Sequence, residues 1–220
     1  FELVTETIHL GGLAVDQYSP HVDGLGVQPN FIFDHDGSIH LAYRSGQDSI
    51  GQLYYATNRS GEWRATMINR LPPNPDSDAM TDYFAIAVDG RNTPFIAISR
   101  PNAMSLLTKR SGIWTTERIE TVATATDTEV SLAIDSQDRL HVLYYTYIGE
   151  LRYAKKTDGD WQIETIADTG PTGSLPGEIH GNLSRYSHSL MIDELDFLHI
   201  GFTDRYSQLH YLTNENGIWE

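Results

Sequence analysis

Short segments of alternating apolar and polar residues follow one another along the whole chain, and the 3.6-residue period of an amphipathic helix is absent. In the first of these stretches the alternation predicts four strands, near residues 28–34, 38–44, 51–57 and 62–69. Turn-forming pairs such as Asp36-Gly37 separate the segments. The pattern therefore predicts an all-β protein built from short antiparallel hairpins.

One arrangement of residues occurs four times. An Asp follows an apolar strand, a His or Phe comes six residues later, and a Trp with a Gly two places before it comes about 20 residues after that. The four Asp and Trp pairs are Asp34 and Trp63, Asp89 and Trp114, Asp135 and Trp161, and Asp193 and Trp219. A repeat of about 50 residues made of short strands is typical of a β-propeller. We expect one β-propeller domain over residues 1–220, with four four-stranded blades at about 13–70, 71–120, 121–168 and 169–220.

The two ends of the chain complement each other. The fourth copy stops at Glu220, whereas Phe1–Ile8 is similar to the outer strand of the third copy, Trp161–Ile166. We therefore expect residues 1–12 to complete the last blade, which closes the ring and hides its edge strands. The sequence is also compatible with two other architectures. In one, two chains form an eight-bladed ring; in the other, this chain is a fragment of a longer propeller. A chain that begins at Phe1 rather than Met is expected to be a processed or excised segment.

The repeated phrase around Asp34 and His40, followed by Leu-x-Tyr and Gly-x-Trp, resembles the repeats of bacterial sialidase-like propellers. The broader group includes lectins, exported proteins of unassigned activity and some polysaccharide lyases. The resemblance therefore implies the fold and leaves the activity open. The Asp-box of true sialidases, Ser-x-Asp-x-Gly-x-x-Trp, is absent in that form, and Asp158-Gly-Asp-Trp161 is its nearest match. Sialidase activity is not implied.

Composition excludes several classes of function. The formal net charge of -15 argues against nucleic-acid binding, which depends on Lys and Arg neutralising phosphates, and against anionic membranes. No run of 18 apolar residues predicts membrane insertion. The absence of cysteine excludes disulfides and thiolate chemistry. We expect a secreted or cell-surface protein of bacterial type that uses no cofactor.

The repeated polar residues have structural explanations. We expect each repeated Asp to cap a hairpin turn by accepting backbone N–H bonds, and each repeated His to pack and bond between blades. Asp34-His-Asp36-Gly37 begins like a calcium loop, but the later acidic ligands are missing. The remaining histidines lack the paired spacing of a zinc site. No metal site is predicted.

The segments before the first strand of each copy break the repeat most, and propeller loops of this kind are where function is placed without cost to the framework. The predicted ligand-binding residues come from these segments of three neighbouring copies, and equivalent offsets bring them to the same height around one axis. They are Tyr83, Asp82, Asp127, Glu129, Arg185, Tyr186 and His188.

Three hypotheses about function remain. The first is a non-catalytic module that binds a glycan or a cell-surface partner. The second is a carbohydrate-active enzyme such as a polysaccharide lyase, in which Tyr186 and His188 would transfer protons and Arg185 would bind a carboxylate. The third is a structural assembly subunit, and a homo-oligomer is compatible with each of them.

Overall fold

The computed structural model describes residues 30–45, 52–68, 83–100, 102–122, 130–146, 148–170, 187–204 and 206–220. Every element in these ranges is a β-strand, and all strand pairs are antiparallel, as the alternating pattern predicts. The chain forms two compact units, Phe1–Met80 and Thr81–Glu220.

The strands form four meandering sheets, each following chain order. Sheet 1, in the first unit, consists of β1 (Asn30–Phe33), β2 (Ile39–Ser45), β3 (Gln52–Thr57) and β4 (Arg64–Met67). Sheet 2 consists of β5 (Tyr83–Val88), β6 (Pro94–Arg100), β7 (Ala103–Arg110) and β8 (Ile113–Glu120). Sheet 3 consists of β9 (Val130–Ile134), β10 (Leu140–Tyr145), β11 (Glu150–Thr157) and β12 (Asp160–Asp168). Sheet 4 consists of β13 (His188–Ile192), β14 (Leu198–Thr203) and β15 (Leu209–Thr213).

Sheet 4 has three described strands, whereas four were predicted for each blade. The fourth was expected from the N-terminal segment, and residues 1–29 lie outside the described residues. Closure of the last blade by residues 1–12 therefore stays a prediction.

Each repeated Asp caps the hairpin between the first two strands of its sheet. In sheet 3, Asp135 Oδ1 accepts the backbone N–H of Gln137 at 3.0 Å and that of Arg139 at 2.9 Å. Asp34, Asp89 and Asp193 make the same pair of bonds in their own turns. These bonds satisfy donors that the tight turn would otherwise leave unpaired, so the predicted capping role is confirmed.

The repeated His was predicted to bond between blades, but it bonds within its own sheet. His141 Nε2 lies 3.1 Å from Asp135 Oδ2, and its Nδ1 lies 2.6 Å from the hydroxyl of Tyr153 on the neighbouring strand. The corresponding groups in sheet 1 are Asp34, His40 and Tyr55, and in sheet 4 they are Asp193, His199 and Tyr211. The His ring therefore links the turn to the third strand, which fixes the register of all three strands.

Within the second unit, the three sheets pack face to face through two apolar cores. Leu132 and Ile134 of β9 pack against sheet 2 in the first core, and Leu190 and Ile192 of β13 pack against sheet 3 in the second. The large side chains of β9 and β13 thus lie between sheets, whereas Phe31 and Phe33 of β1 are exposed.

Small residues alternate with these large ones in the first strands. Ser131 of β9 faces sheet 4, where its hydroxyl lies 3.0 Å from Nδ1 of His188. Both faces of a blade meet a neighbour, because alternate residues of one strand point to opposite sides of its sheet. The small side chains leave room for the large ones of the next sheet.

Candidate functional site

A cleft of about 600 Å³ lies between the outer parts of sheets 3 and 4. Trp219 of sheet 4 donates its indole N–H to Glu164 Oε1 of β12, at 2.9 Å. The Trp219 ring also meets Tyr153 of β11 edge-on, with ring centroids 5.1 Å apart. An aromatic wall and a carboxylate therefore stand side by side in the cleft.

The local sequence places these groups. Gly217 adopts φ +78°, a left-handed conformation that glycine adopts without steric cost, and it closes the tight turn from Asn214 that leads to Trp219. The Asn214 side chain anchors this turn, because its Oδ1 accepts the backbone N–H of Leu198 at 2.8 Å. This conformational requirement accounts for the Gly that precedes every repeated Trp.

The cleft offers both apolar surface and hydrogen-bonding groups. Its lining consists of Tyr153, Lys155, Gln162, Ile163, Glu164, Asn214, Gly217, Ile218 and Trp219. Burial, followed by the nearby charges of Glu164 and Asp135, raises the pKa of Tyr153 far above its usual value, so its hydroxyl stays protonated. Trp219 is half-buried and Glu164 is exposed, so both side chains can be reached from solvent. One cation, one carboxylate and two amides surround the aromatic wall.

The junction between sheets 2 and 3 contains the same Trp–Glu hydrogen bond, but the residue next to its Trp is different. Trp161 donates its indole N–H to Glu117 Oε1 at 2.8 Å. Here Lys156 bonds the other carboxylate oxygen at 2.5 Å, and its ammonium lies 5.5 Å from the centroid of the Trp161 ring. In sheet 4 the residue five places before the Trp is Asn214, not Lys. Lys156 therefore occupies, beside Trp161, the position that Asn214 leaves open beside Trp219.

Of the seven ligand-binding residues predicted from the sequence, the structure describes Tyr83 and His188. Each is the first residue of its strand, and Tyr83 packs against the core between sheets 2 and 3. His188 is 5% exposed, bonded to Ser131 and in ring contact with Tyr145 at 5.7 Å. The remaining five lie outside the described residues: Asp82, Asp127, Glu129, Arg185 and Tyr186. Convergence of this set around one axis stays a prediction.

A polar network lies where sheets 2 and 3 meet, at the ends of the strands from which the predicted site was expected. The hydroxyl of Tyr144 donates to Glu120, and Arg152 bridges Glu120 at 3.5 Å and Glu150 at 2.8 Å. Burial and the hydrogen bond to Glu120 raise the pKa of Tyr144 strongly. Each charged group of this network is bonded to another, so the network is part of the junction between the two sheets.

Within the described ranges, no three or more His, Cys, Asp and Glu side chains gather in a way that could hold a metal ion. That part of the chain also contains no helix long and apolar enough to span a membrane.

Neither the known family models nor the curated proteins include a match to this chain. Solved structures do match. AofleA from Arthrobotrys oligospora superposes with a TM-score of 0.61 at 12% identity, over 88% of this chain and 54% of that one. A protein of unknown function from Dyadobacter fermentans gives a TM-score of 0.56 at 11% identity, over 88% of this chain and 68% of that one.

A third match is a fungal lectin from Aleuria aurantia, described as a six-bladed β-propeller that recognises fucose. It gives a TM-score of 0.58 at 16% identity, over 83% of this chain and 55% of the lectin. The chain therefore spans about half the length of the two fungal proteins. These likenesses, together with the four meandering sheets, identify the fold as an all-β β-propeller.

Proposed function

We propose that this chain is a non-catalytic, lectin-like β-propeller that binds a glycan in the cleft between sheets 3 and 4. The observation that carries the proposal is the pairing of the accessible Trp219 ring with the Glu164 carboxylate inside this cleft. Fucose recognition in a structurally similar fungal propeller makes fucosides the first probes.

The chemistry of the cleft suits a neutral sugar. A pyranose ring has one apolar face of C–H groups and a rim of hydroxyls, so it needs a flat apolar surface beside a few oriented polar groups. Trp219 and Ile218 supply the apolar surface. Glu164 can accept hydrogen bonds from sugar hydroxyls, and Lys155 and Gln162 can donate hydrogen bonds to hydroxyl oxygens. The open sides of the cleft leave room for a sugar that continues into a longer chain.

The cleft favours binding over turnover. Glycoside hydrolysis uses two carboxyl groups that flank the scissile bond, and Glu164 is the single carboxylate among the described lining residues. The lyase hypothesis assigned proton transfer to Tyr186 and His188. Tyr186 lies outside the described residues, and His188 is buried against Ser131.

A glycan array with fucosylated, neutral and acidic glycans tests the proposal, run beside an assay for release of unsaturated uronate. We expect a fucosylated or other neutral glycan to bind without turnover. Glu164→Gln should weaken that binding by about tenfold or more, since a hydrogen bond to a charged group contributes about 1.5–3 kcal/mol. Glu117→Gln makes the same change at the junction that Lys156 occupies, and it should leave binding unchanged. Turnover, or binding that Glu164→Gln does not alter, would reject this site.

We infer further that the protein acts outside the cell or at its surface. A glycan ligand and a strongly acidic chain of net charge -15 support this location. Fractionation of the source cells, with detection of the protein by antibody, tests it, and recovery in the cytosol alone would overturn it.

A further inference from the structure

The Trp–Glu pair between sheets 2 and 3 holds an ammonium group that belongs to the chain itself. Glu117 Oε1 accepts the indole N–H of Trp161, and Glu117 Oε2 accepts a hydrogen bond from Lys156 Nζ at 2.5 Å. The same ammonium lies 5.5 Å from the centroid of the Trp161 ring. A carboxylate and the face of an indole ring both attract an alkylammonium ion. Trp161 and Glu117 therefore form an ammonium site that Lys156 fills.

A lysine stands at the same place in the neighbouring sheet. Lys109 lies five residues before Trp114, as Lys156 lies five residues before Trp161. Its Nζ is 6.0 Å from the centroid of the Trp114 ring. An ammonium beside the repeated Trp is thus found in two successive sheets, and the fixed spacing in the sequence places it there.

The equivalent site between sheets 3 and 4 lacks this lysine. Glu164 Oε1 accepts the indole N–H of Trp219, whereas Glu164 Oε2 has no hydrogen-bond partner among the described residues. Asn214 stands in place of the lysine, and its Oδ1 is bonded to the backbone N–H of Leu198. Lys155 also lines the cleft, but in the part of the chain that the structure describes it forms no ion pair with Glu164. One carboxylate oxygen beside the Trp219 ring is therefore available to a ligand.

We propose that this site binds the ammonium group of an amino sugar, that is, a glycan with a free primary amine. The inference rests on the proposed glycan binding and names the class of sugar. Glu164 Oε2 accepts a hydrogen bond from the ammonium, and the Trp219 ring lies beside it, as Glu117 and Trp161 do for Lys156. The chain's own contact thus shows which chemical group the open pair is suited to bind.

The rest of the cleft favours a sugar over a simple amine. Its volume of about 600 Å³ exceeds what one ammonium group needs and suits a small ligand. Ile218 offers apolar surface to the ring, and the amides of Gln162 and Asn214 can bond its hydroxyls. The positive charge of Lys155 repels a second ammonium, so the cleft suits a single amino group better than a polyamine.

Calorimetric titration with three methyl glycosides tests the inference, because they differ only in the substituent next to the anomeric carbon. Methyl glucosaminide carries an ammonium there, methyl N-acetylglucosaminide an uncharged acetamide, and methyl glucoside a hydroxyl. The ammonium should raise the affinity about tenfold or more over both neutral sugars, since a charge-assisted hydrogen bond is stronger than a neutral one. Equal affinity for all three sugars overturns the inference and leaves glycan binding standing. If neither these sugars nor any glycan of the array binds, both proposals fail.

A lysine derivative separates the sugar from its amine. Nα-acetyl-lysine amide presents an ammonium without a sugar ring, and it should bind about tenfold more weakly than methyl glucosaminide, because it makes no use of the remaining cleft. Equal binding of the two would assign the cleft to a lysine side chain of a protein partner and would overturn the choice of an amino sugar.

Removing Lys156 tests whether the two junctions are equivalent. Lys156→Asn gives sheet 3 the residue that Asn214 provides in sheet 4, so this variant should bind one more equivalent of methyl glucosaminide than the wild type. Adding Glu117→Gln should remove the extra equivalent. Glu164→Gln should lower the preference for the glucosaminide over the glucoside. Circular dichroism melting confirms that each variant is folded, and an unchanged stoichiometry in folded Lys156→Asn would contradict the inference.

Discussion

Trp219 and Glu164 are 55 residues apart in sequence and joined by a 2.9 Å hydrogen bond between two sheets. Trp161 and Glu117 form the same bond at the preceding junction. In both cases the Glu lies three residues after the Trp of its own repeat, on β8 or β12, and it accepts the indole N–H of the Trp in the next repeat. The junctions differ in the residue beside the Trp, which is Lys156 in one and Asn214 in the other.

That difference predicts which junction is open. Asn214→Lys should place an ammonium near Glu164 and Trp219, as Lys156 lies near Glu117 and Trp161, and it should weaken glycan binding by about tenfold or more. Binding is measured by calorimetric titration of the best glycan from the array.

The same substitution also removes a turn anchor, and sheet 1 provides the control. Asn58 Oδ1 accepts the backbone N–H of Ile39 at 2.8 Å, as Asn214 does that of Leu198. Asn58→Lys should cost a similar amount of stability, about 1 kcal/mol, without changing glycan affinity. Equal loss of affinity in both variants would contradict the assignment of the cleft.

The second prediction concerns the His–Tyr pair. Sheet 2 has Phe95 and Leu106 where sheet 3 has His141 and Tyr153. His141→Phe alone leaves the buried Tyr153 hydroxyl without its partner and should destabilise the protein by about 1–3 kcal/mol. Adding Tyr153→Leu should recover part of this loss, because the polar pair is then replaced as a unit. Urea denaturation measures His141→Phe, Tyr153→Leu and the double variant. A loss of stability in the double variant equal to the sum of the two single losses would refute the coupling.

The third prediction is a loss of stability in acid that starts near neutral pH. Burial lowers the pKa of His141, although Asp135 partly opposes this effect. The folded state therefore holds His141 neutral, while the unfolded chain takes up a proton below about pH 6.5. The contribution of His141 is complete above that pH and falls as the pH decreases towards the folded pKa.

Asp135 adds a second pH-dependent contribution to stability, which acts at lower pH. Burial raises its pKa, but hydrogen bonds from the Arg139 backbone and from His141 outweigh burial and lower it overall. Its contribution is present above about pH 3.9 and is lost as the pH falls through the folded pKa. The midpoints of urea unfolding at several pH values test the contributions of both His141 and Asp135. His141→Phe should flatten the change between pH 7.5 and 5, and an unchanged slope would contradict this explanation.

The fourth prediction concerns His188. Because it is buried and bonded to Ser131, His188→Ala should lower the unfolding free energy by about 1–3 kcal/mol and leave glycan binding in the cleft intact. His35→Ala, at an exposed turn residue, is the control and should change stability little. A His188→Ala variant that keeps full stability and loses glycan binding would favour the site predicted from the sequence.

The sequence allows the framework to be predicted because its determinants are local. An Asp that caps a turn and bonds residues two and four places later, such as Asp135, leaves a fixed spacing in the chain. The burial of His188 can also be inferred from the repeat. Phe84 and Val130 lie at the same position, five residues before their own Asp, and both are apolar and buried. That comparison marks the position as part of the core.

The cleft is harder to predict because it belongs to no single repeat. Trp219 and Glu164 come from different sheets, and their meeting depends on how two blades stack rather than on spacing within one. The available signal is the Glu three residues after Trp114 and Trp161, which identifies one partner but not its contact. That Lys156 fills one junction, whereas Asn214 leaves the other open, is seen only when the two junctions are compared in three dimensions.

The most direct test of the sugar-binding site uses the four tryptophans as reporters. Intrinsic fluorescence is followed while the best glycan from the array is titrated into the wild-type chain and into four variants, each with one Trp replaced by Phe: Trp63→Phe, Trp114→Phe, Trp161→Phe and Trp219→Phe. We expect the glycan-induced change to disappear in Trp219→Phe and to persist in the other three variants. Persistence of the full signal in Trp219→Phe, with its loss in any other variant, would show that the sugar does not bind beside Trp219.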